Sequence, residues 1–168
     1  MRQEKFATLA FEEALKSDQN LKHGSVITKG GKVASKGYNK GNRSKILGQV
    51  HSCTHAEIDA ASKLVNMLNR KVHKNKSLET LLKKYVVWAV RVCQIDRKTK
   101  TYAMKNSKPC KHCINKLVQL GFNKCAYSDD NGNIVHDKLR NMDGYISSSQ
   151  RIYGKHYKWL IFNKYILQ

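Results

Sequence analysis

Proline and acid are what this chain has least of. There is one proline in 168 residues, and 12 Asp and Glu stand against 32 Lys and Arg. Scarce proline leaves helices and strands uninterrupted, and a hydrophobic fraction of 40% argues for an ordered fold rather than a disordered tail. No apolar run approaches the roughly 20 residues that a membrane-spanning helix needs. Glu4, Glu12 and Glu13 interrupt the apolar stretch that a secretory signal would require. An intracellular protein of cytoplasm or nucleus, with no membrane partner, is expected. The five cysteines, Cys53, Cys93, Cys110, Cys113 and Cys125, are odd in number and include one close pair. That pattern argues against a disulfide framework and fits a metal site in a reducing compartment. The length suits one domain over residues 1–168.

The shortage of acid leaves a formal net charge of +20. Such a field attracts polyanions and speeds their encounter. RNA, DNA, a nucleotide phosphate and an anionic membrane face are the partners it admits, and nucleic acid is the usual one. A Lys-rich surface can equally reflect the base composition of the source genome, as the many Asn residues suggest.

Hydrophobic periodicity lays out one α/β unit. Phe6, Leu9, Ala10, Ala14 and Leu15 predict an amphipathic helix ending near Ser17-Asp18. Gly24–Thr28 and Val33–Asn39 flank Gly30-Gly31 and predict a hairpin, followed by a polar loop over Lys40–Gln49. Ala56, Ile58, Ala60, Ala61, Leu64, Val65 and Leu68 predict a largely buried helix over Thr54–Leu68. The stretch of about 69–84 is basic, has room for a short helix over Ser77–Leu82, and reads as an exposed insertion. Tyr85–Val92 is the strongest strand, apolar enough for mid-sheet. Thr101–Met104 can return beside it after the turn Asp96–Lys100. Pro109 precedes a helix that Gly121 stops, and Lys124–Ser128 is another strand. The turn Asp129-Asp130-Asn131-Gly132 suggests a hairpin with Asn133–Val135, hence an antiparallel last strand. Cys93 and Cys125, on strands, are expected to be small buried apolar residues.

Cys110 and Cys113 stand three apart at a helix start, a spacing that puts both sulfurs on one face within reach of one metal ion. Pro109 suits the first turn, and the helix N-terminus favours thiolates. Alone, the pair could be a redox couple or half of a structural zinc site. His55-Ala56-Glu57 upstream changes the reading, because His-x-Glu followed by Pro-Cys-x-x-Cys is the signature of zinc deaminases. His55, Cys110 and Cys113 would hold Zn2+ and leave a fourth position open for water. Glu57 would act as general acid and base. A blander reading exists: Thr54-His55-Ala56-Glu57 also matches a helix capping box, which would make Glu57 a stability residue. It explains neither His55 nor the cysteine pair. His51, Cys53 and His112 could join a second metal site, but read better as polar loop residues.

On these motifs the chain resembles the cytidine and deoxycytidylate deaminase superfamily, which includes tRNA adenosine deaminases and polynucleotide cytosine deaminases. The hairpin His23-Gly24-Ser25-Val26-Ile27 to Gly37-Tyr38-Asn39 is similar to the family's first two strands. The resemblance implies an α/β/α sandwich with a central mixed sheet of about five strands, with both zinc motifs at helix N-termini. It also implies Asn39 and Ala56 as substrate contacts. Ser52–Glu57 resembles the deoxycytidylate branch, whereas Ile58-Asp59-Ala60 fits the adenosine branch equally well. Those two branches are expected to carry a parallel last strand, so the turn at Asp129–Gly132 is a departure.

Three functions remain open. The first is deamination of cytosine to uracil in nucleic acid or in a nucleotide such as deoxycytidylate. The second is tRNA-type adenosine-to-inosine deamination. The third is a non-catalytic zinc domain that binds nucleic acid, for which Glu57 would be superfluous. Oligomers are common in such families, so a homo-oligomer is an option. In the tail of about 151–168, cations alternate with rings, which suits a single-strand surface contacted by Arg151, Lys155 and Lys158. Its end, Trp159–Leu167, also reads as a packed helical stripe.

Overall fold

A computed structural model of the chain describes residues 2–41, 44–46, 49–51, 53–71 and 77–147. The first helix, α1 (Arg2–Leu15), buries Phe6, Ala7, Ala10 and Ala14. The hairpin forms as expected, from β1 (Lys22–Lys29) and β2 (Lys32–Tyr38). Gly30 and Gly31 take φ of 55° and 80°, the left-handed backbone that a tight two-residue hairpin loop requires. Within the stretch expected to be a loop, a small separate hairpin forms instead from β3 (Ser44–Ile46) and β4 (Gln49–His51). Among the described residues its strands pair only with each other, and segments so short leave no alternation to read.

The second helix, α2, runs Ala56–Lys71, which extends past the expected end into the basic stretch. After it comes α3 (Leu78–Leu82), capped by Ser77, whose Oγ accepts the Thr80 N–H. The exposed insertion therefore needs correcting at this end. Leu82 is fully buried in the core with α2 residues Leu64 and Val65, because a five-residue helix is anchored by packing and not by length.

The sheet order is β2-β1-β5-β7-β8, with β6 also pairing β5. Here β5 is Val86–Asp96, β6 Thr101–Lys105, β7 Lys124–Ser128 and β8 Ile134–Lys138. The sheet is mixed: β5 and β7 run parallel, and every other pair is antiparallel. The turn before β8 does make the last strand antiparallel, with Gly132 at φ 85°.

Side-chain alternation splits the core in two. Val26, Trp88, Val90, Val92 and Ala126 face α1, whereas Ile27, Val87 and Cys125 face α2, α3 and α4 (Lys111–Leu120). The result is an α/β/α sandwich whose two zinc motifs lie on the same side of the sheet. The strand cysteines differ, for Cys125 is buried but Cys93 only half-buried, lying where β5 runs beyond β7 and pairs β6 instead.

Candidate active site

Two helix starts build the site. Cys110 is the N-cap of α4, with Pro109 one residue outside the helix and not in its first turn. Cys113 follows within that turn, and Gly121 ends the helix at φ 102°. The loop into Cys110 is held where the parallel pairing of β5 and β7 ends, at Ala89 and Tyr127, on the carboxyl side where α/β sheets place their ligands. Ser107 Oγ donates to the Ala89 carbonyl at 2.7 Å and accepts the Ser128 N–H at 2.9 Å.

His55 directly precedes α2, whose Asp59 N–H donates to the His55 carbonyl at 3.0 Å. Thr54 is therefore not the cap. Its N–H, which a capping box would offer to Glu57, donates instead to the Lys40 carbonyl at 2.9 Å. The stability reading of Glu57 loses its hydrogen bond. Asp59 takes the anchoring role, because its carboxylate meets Lys40 at 3.1 Å and Lys63 at 2.7 Å and accepts the Tyr38 N–H at 3.3 Å.

Ligand atoms of His55, Cys110 and Cys113 lie within 4.8 Å of one another, the one such cluster among the described residues. His55 Nδ1 is 3.5 Å from the Cys110 sulfur and 3.2 Å from that of Cys113. Zn–S and Zn–N bonds of tetrahedral sites put such atoms about 3.6 Å apart, so the donor set and its spacing fit Zn2+. Glu57 is 5% exposed, and its Oε2 accepts from the Cys113 thiol at 3.9 Å.

The charges match this use. A hydrogen bond from Cys113, then the His55 cation, hold the Cys110 thiol down to about 4 against burial. The same bond and burial raise Cys113 well above the usual thiol value. Burial works against the His55 imidazolium, but hydrogen bonds to Cys110 and Cys53 and the charges of Cys110 and Glu57 overcome it and push the group up to about 11. Burial raises the Glu57 carboxyl, which brings a carboxylate toward the range useful for proton transfer near neutral pH.

The sequence profile of the "cytidine and deoxycytidylate deaminase zinc-binding region" matches residues 1–129. The chain belongs to this family. Together with the His-Cys-Cys cluster, membership supports zinc-dependent deamination, an enzymatic hydrolysis. Among solved structures, the cytidine deaminase of Burkholderia pseudomallei is 17% identical at a TM-score of 0.55, over 83% of this chain and 94% of that one. At that identity the likeness speaks for the fold. A dCMP deaminase from the cyanophage S-TIM5, in complex with dCMP and dUMP, is 20% identical at a TM-score of 0.47, over 76% and 81%. No curated protein sequence matches.

Other candidate residues are placed as follows. Asn39 directly follows β2, and its side-chain amide ties down the start of β1: Oδ1 accepts the His23 N–H and Nδ2 donates to the Leu21 carbonyl, both at 2.7 Å. One amide N–H and one lone pair are left over. Ala56 opens α2, where backbone N–H groups find no partner within the helix. Cys53 hydrogen-bonds His55, and His112 is half-buried on α4. Neither joins a second metal cluster among the described residues. The side chain of His51, and Arg151, Lys155 and Lys158 with the whole tail, lie outside the described residues. No described helix is long and apolar enough to cross a membrane.

Three residues near the site went unread in the sequence: His23, Arg91 and Tyr145. The His23 ring lies within electrostatic reach of His55 and Cys110, and the Tyr145 hydroxyl within that of Cys110, Glu57 and Cys113. The Tyr145 carbonyl accepts the Lys111 N–H at 2.9 Å, holding the segment after β8 against the start of α4. A signal did exist for Arg91, since it is a cation inside the most apolar strand of the chain.

Proposed function

We propose that the protein hydrolyses the exocyclic amine of cytosine, giving uracil and ammonia, on a nucleotide such as deoxycytidylate or on single-stranded nucleic acid. The observation that carries this reading is a buried carboxyl group, Glu57, set beside two sulfurs and an imidazole that fit zinc. His55, Cys110 and Cys113 would hold zinc, which would supply Lewis acidity and lower the pKa of a water to about 7. Glu57 relays both protons of the attacking water, one to N3 of the ring and one to the departing amine. A C–O bond forms at C4, the C4–N bond breaks, and ammonia leaves. Asn39 and Ala56 are the proposed substrate contacts at the mouth of the site. In a polynucleotide substrate, Arg151, Lys155 and Lys158 are the proposed strand contacts, which fits the net charge of +20. Residues 1–168 are taken as one deaminase domain.

Replacing Glu57 tests the mechanism. Glu57→Ala and Glu57→Gln should each lower kcat by roughly 100- to 10,000-fold, the usual contribution of a positioned acid–base group. Zinc content should stay at the parent level. Turnover close to parental in Glu57→Gln, with only a lower melting temperature, would return Glu57 to a structural role.

A further inference from the structure

The face of the sheet that carries the zinc motifs holds a half-buried cation with a donor that the fold does not pair. In β5, Trp88, Val90 and Val92 point toward α1, so alternation sends Val87, Ala89 and Arg91 to the opposite face. Arg91 Nε is buried without a hydrogen-bond partner, and no ion pair among the described residues engages the guanidinium. A buried donor left unpaired is destabilising, more so on a charged group. Arg91 is half-buried, and its Nε therefore weakens the folded state unless a ligand satisfies it.

One of its two direct neighbours, Lys105, adds charge of the same sign, and neither opposes it. His23 on β1 and Lys105 on β6 both pair directly with Arg91, and directly paired residues share a face. The three form a row across three strands with no carboxylate in it. Lys105 Nζ donates to the Asp130 carbonyl at 3.4 Å, and the Asp130 carboxylate accepts from Asn106 at 3.2 Å. The row reaches the zinc site through two residues. His23 lies in the field of Arg91 as well as of His55 and Cys110, and Tyr145 in that of Arg91 as well as of Cys110 and Glu57. Burial depresses His23 to about 4 and lifts Tyr145 to about 12, so near neutral pH neither supplies a counter-charge.

We propose that Arg91, at the centre of the His23–Arg91–Lys105 row, anchors a phosphate of the substrate, so that the site prefers a phosphorylated cytosine compound to the free nucleoside. The inference rests on the deaminase reading above. A guanidinium fork matches phosphate oxygens bidentately, which neither a lysine nor an apolar side chain reproduces. The phosphate is either the monoester of a free nucleotide or a diester of a strand.

The test compares zinc-loaded parent, Arg91→Met and Arg91→Lys. Substrates are cytidine, cytidine 5′-monophosphate and a single-stranded oligonucleotide with one cytosine, and melting is followed with and without inorganic phosphate. Arg91→Met should lower kcat/KM for a phosphorylated substrate by roughly 10- to 100-fold, the worth of a hydrogen bond to a charged group, and leave cytidine within about threefold. Arg91→Lys should fall between. A loss on the monophosphate assigns a free nucleotide, and a loss on the oligonucleotide assigns a strand. Melting of Arg91→Met without phosphate should match or exceed the parent, because the buried, unpaired Nε has gone. Phosphate should raise the parent's melting temperature more than the variant's. Equal losses on all three substrates, or no loss on any, would overturn the proposal. If the parent deaminates nothing, the deaminase reading fails, and the difference in phosphate-dependent melting still decides the anion site either way.

Discussion

Cys113 and His55 each carry a proton in the metal-free cluster that zinc must displace, since the ion needs a thiolate and a neutral imidazole nitrogen. Cys113 holds its proton well above the usual thiol range and His55 up to about 11, while Cys110 has already lost its own above about 4. The sign follows: lowering the pH favours the protonated, metal-free form, and raising it favours zinc. Between pH 6 and 8 both groups lie below their raised values, so zinc affinity should rise roughly 100-fold per pH unit, two protons leaving for each ion bound. Competition against a zinc chelator at several pH values checks this, and an affinity flat across that window contradicts it. The ligands and Glu57 were legible in the sequence because their spacing is the chemistry. His23 was not, and Arg91 showed only as a cation in an apolar strand, because facing and pairing are set by strand register, which a linear pattern of apolar residues does not contain.

At the scale of elements, glycine lets the strands approach the helices that carry the site. A Cβ on Gly37 would fall 2.7 Å from the Ala56 carbonyl oxygen and closer still to the Ala60 nitrogen. β2 therefore lies flush against the first turns of α2, and Ser35 Oγ adds a hydrogen bond to the Ala60 carbonyl at 2.9 Å. Gly37→Ala must push α2 outward and move His55 and Glu57 with it. We expect a stability loss of about 1–3 kcal/mol, the usual range for overpacking, together with weaker zinc retention. Thermal melting and zinc content measured on the same sample check this, and a variant with parental values for both would show that α2 is free to shift. The β1–β2 hairpin, α4 and mid-sheet β5 were readable because glycine pairs, a terminal Gly121 and an unbroken apolar run are local signals. The burial of Leu82 and the cap at His55 in place of Thr54 depend on contacts between distant segments, and the strands of the β3–β4 hairpin are too short to show alternation. The antiparallel β8 was readable from its turn, against the expectation for two of the family's branches.

On the scale of the whole molecule, family membership and one cluster of ligands define the reaction class, while the charge of +20 bears on the substrate. A positive field concentrates any phosphate-bearing substrate, free or polymeric. It does not select the base. The central claim is that zinc and Glu57 together hydrolyse cytosine, and one incubation tests it most directly. Zinc-loaded protein is given deoxycytidylate, cytidine, single-stranded DNA, RNA and tRNA in 18O-labelled water, and the digested products are read by mass spectrometry for uracil and inosine. The account predicts uracil carrying one solvent oxygen in at least one cytosine arm, released with one ammonia. It also predicts loss of that product in Glu57→Gln or after zinc removal, and its return when zinc is restored. Inosine from tRNA with no uracil in any arm, or uracil that persists without zinc or without the Glu57 carboxylate, would contradict it.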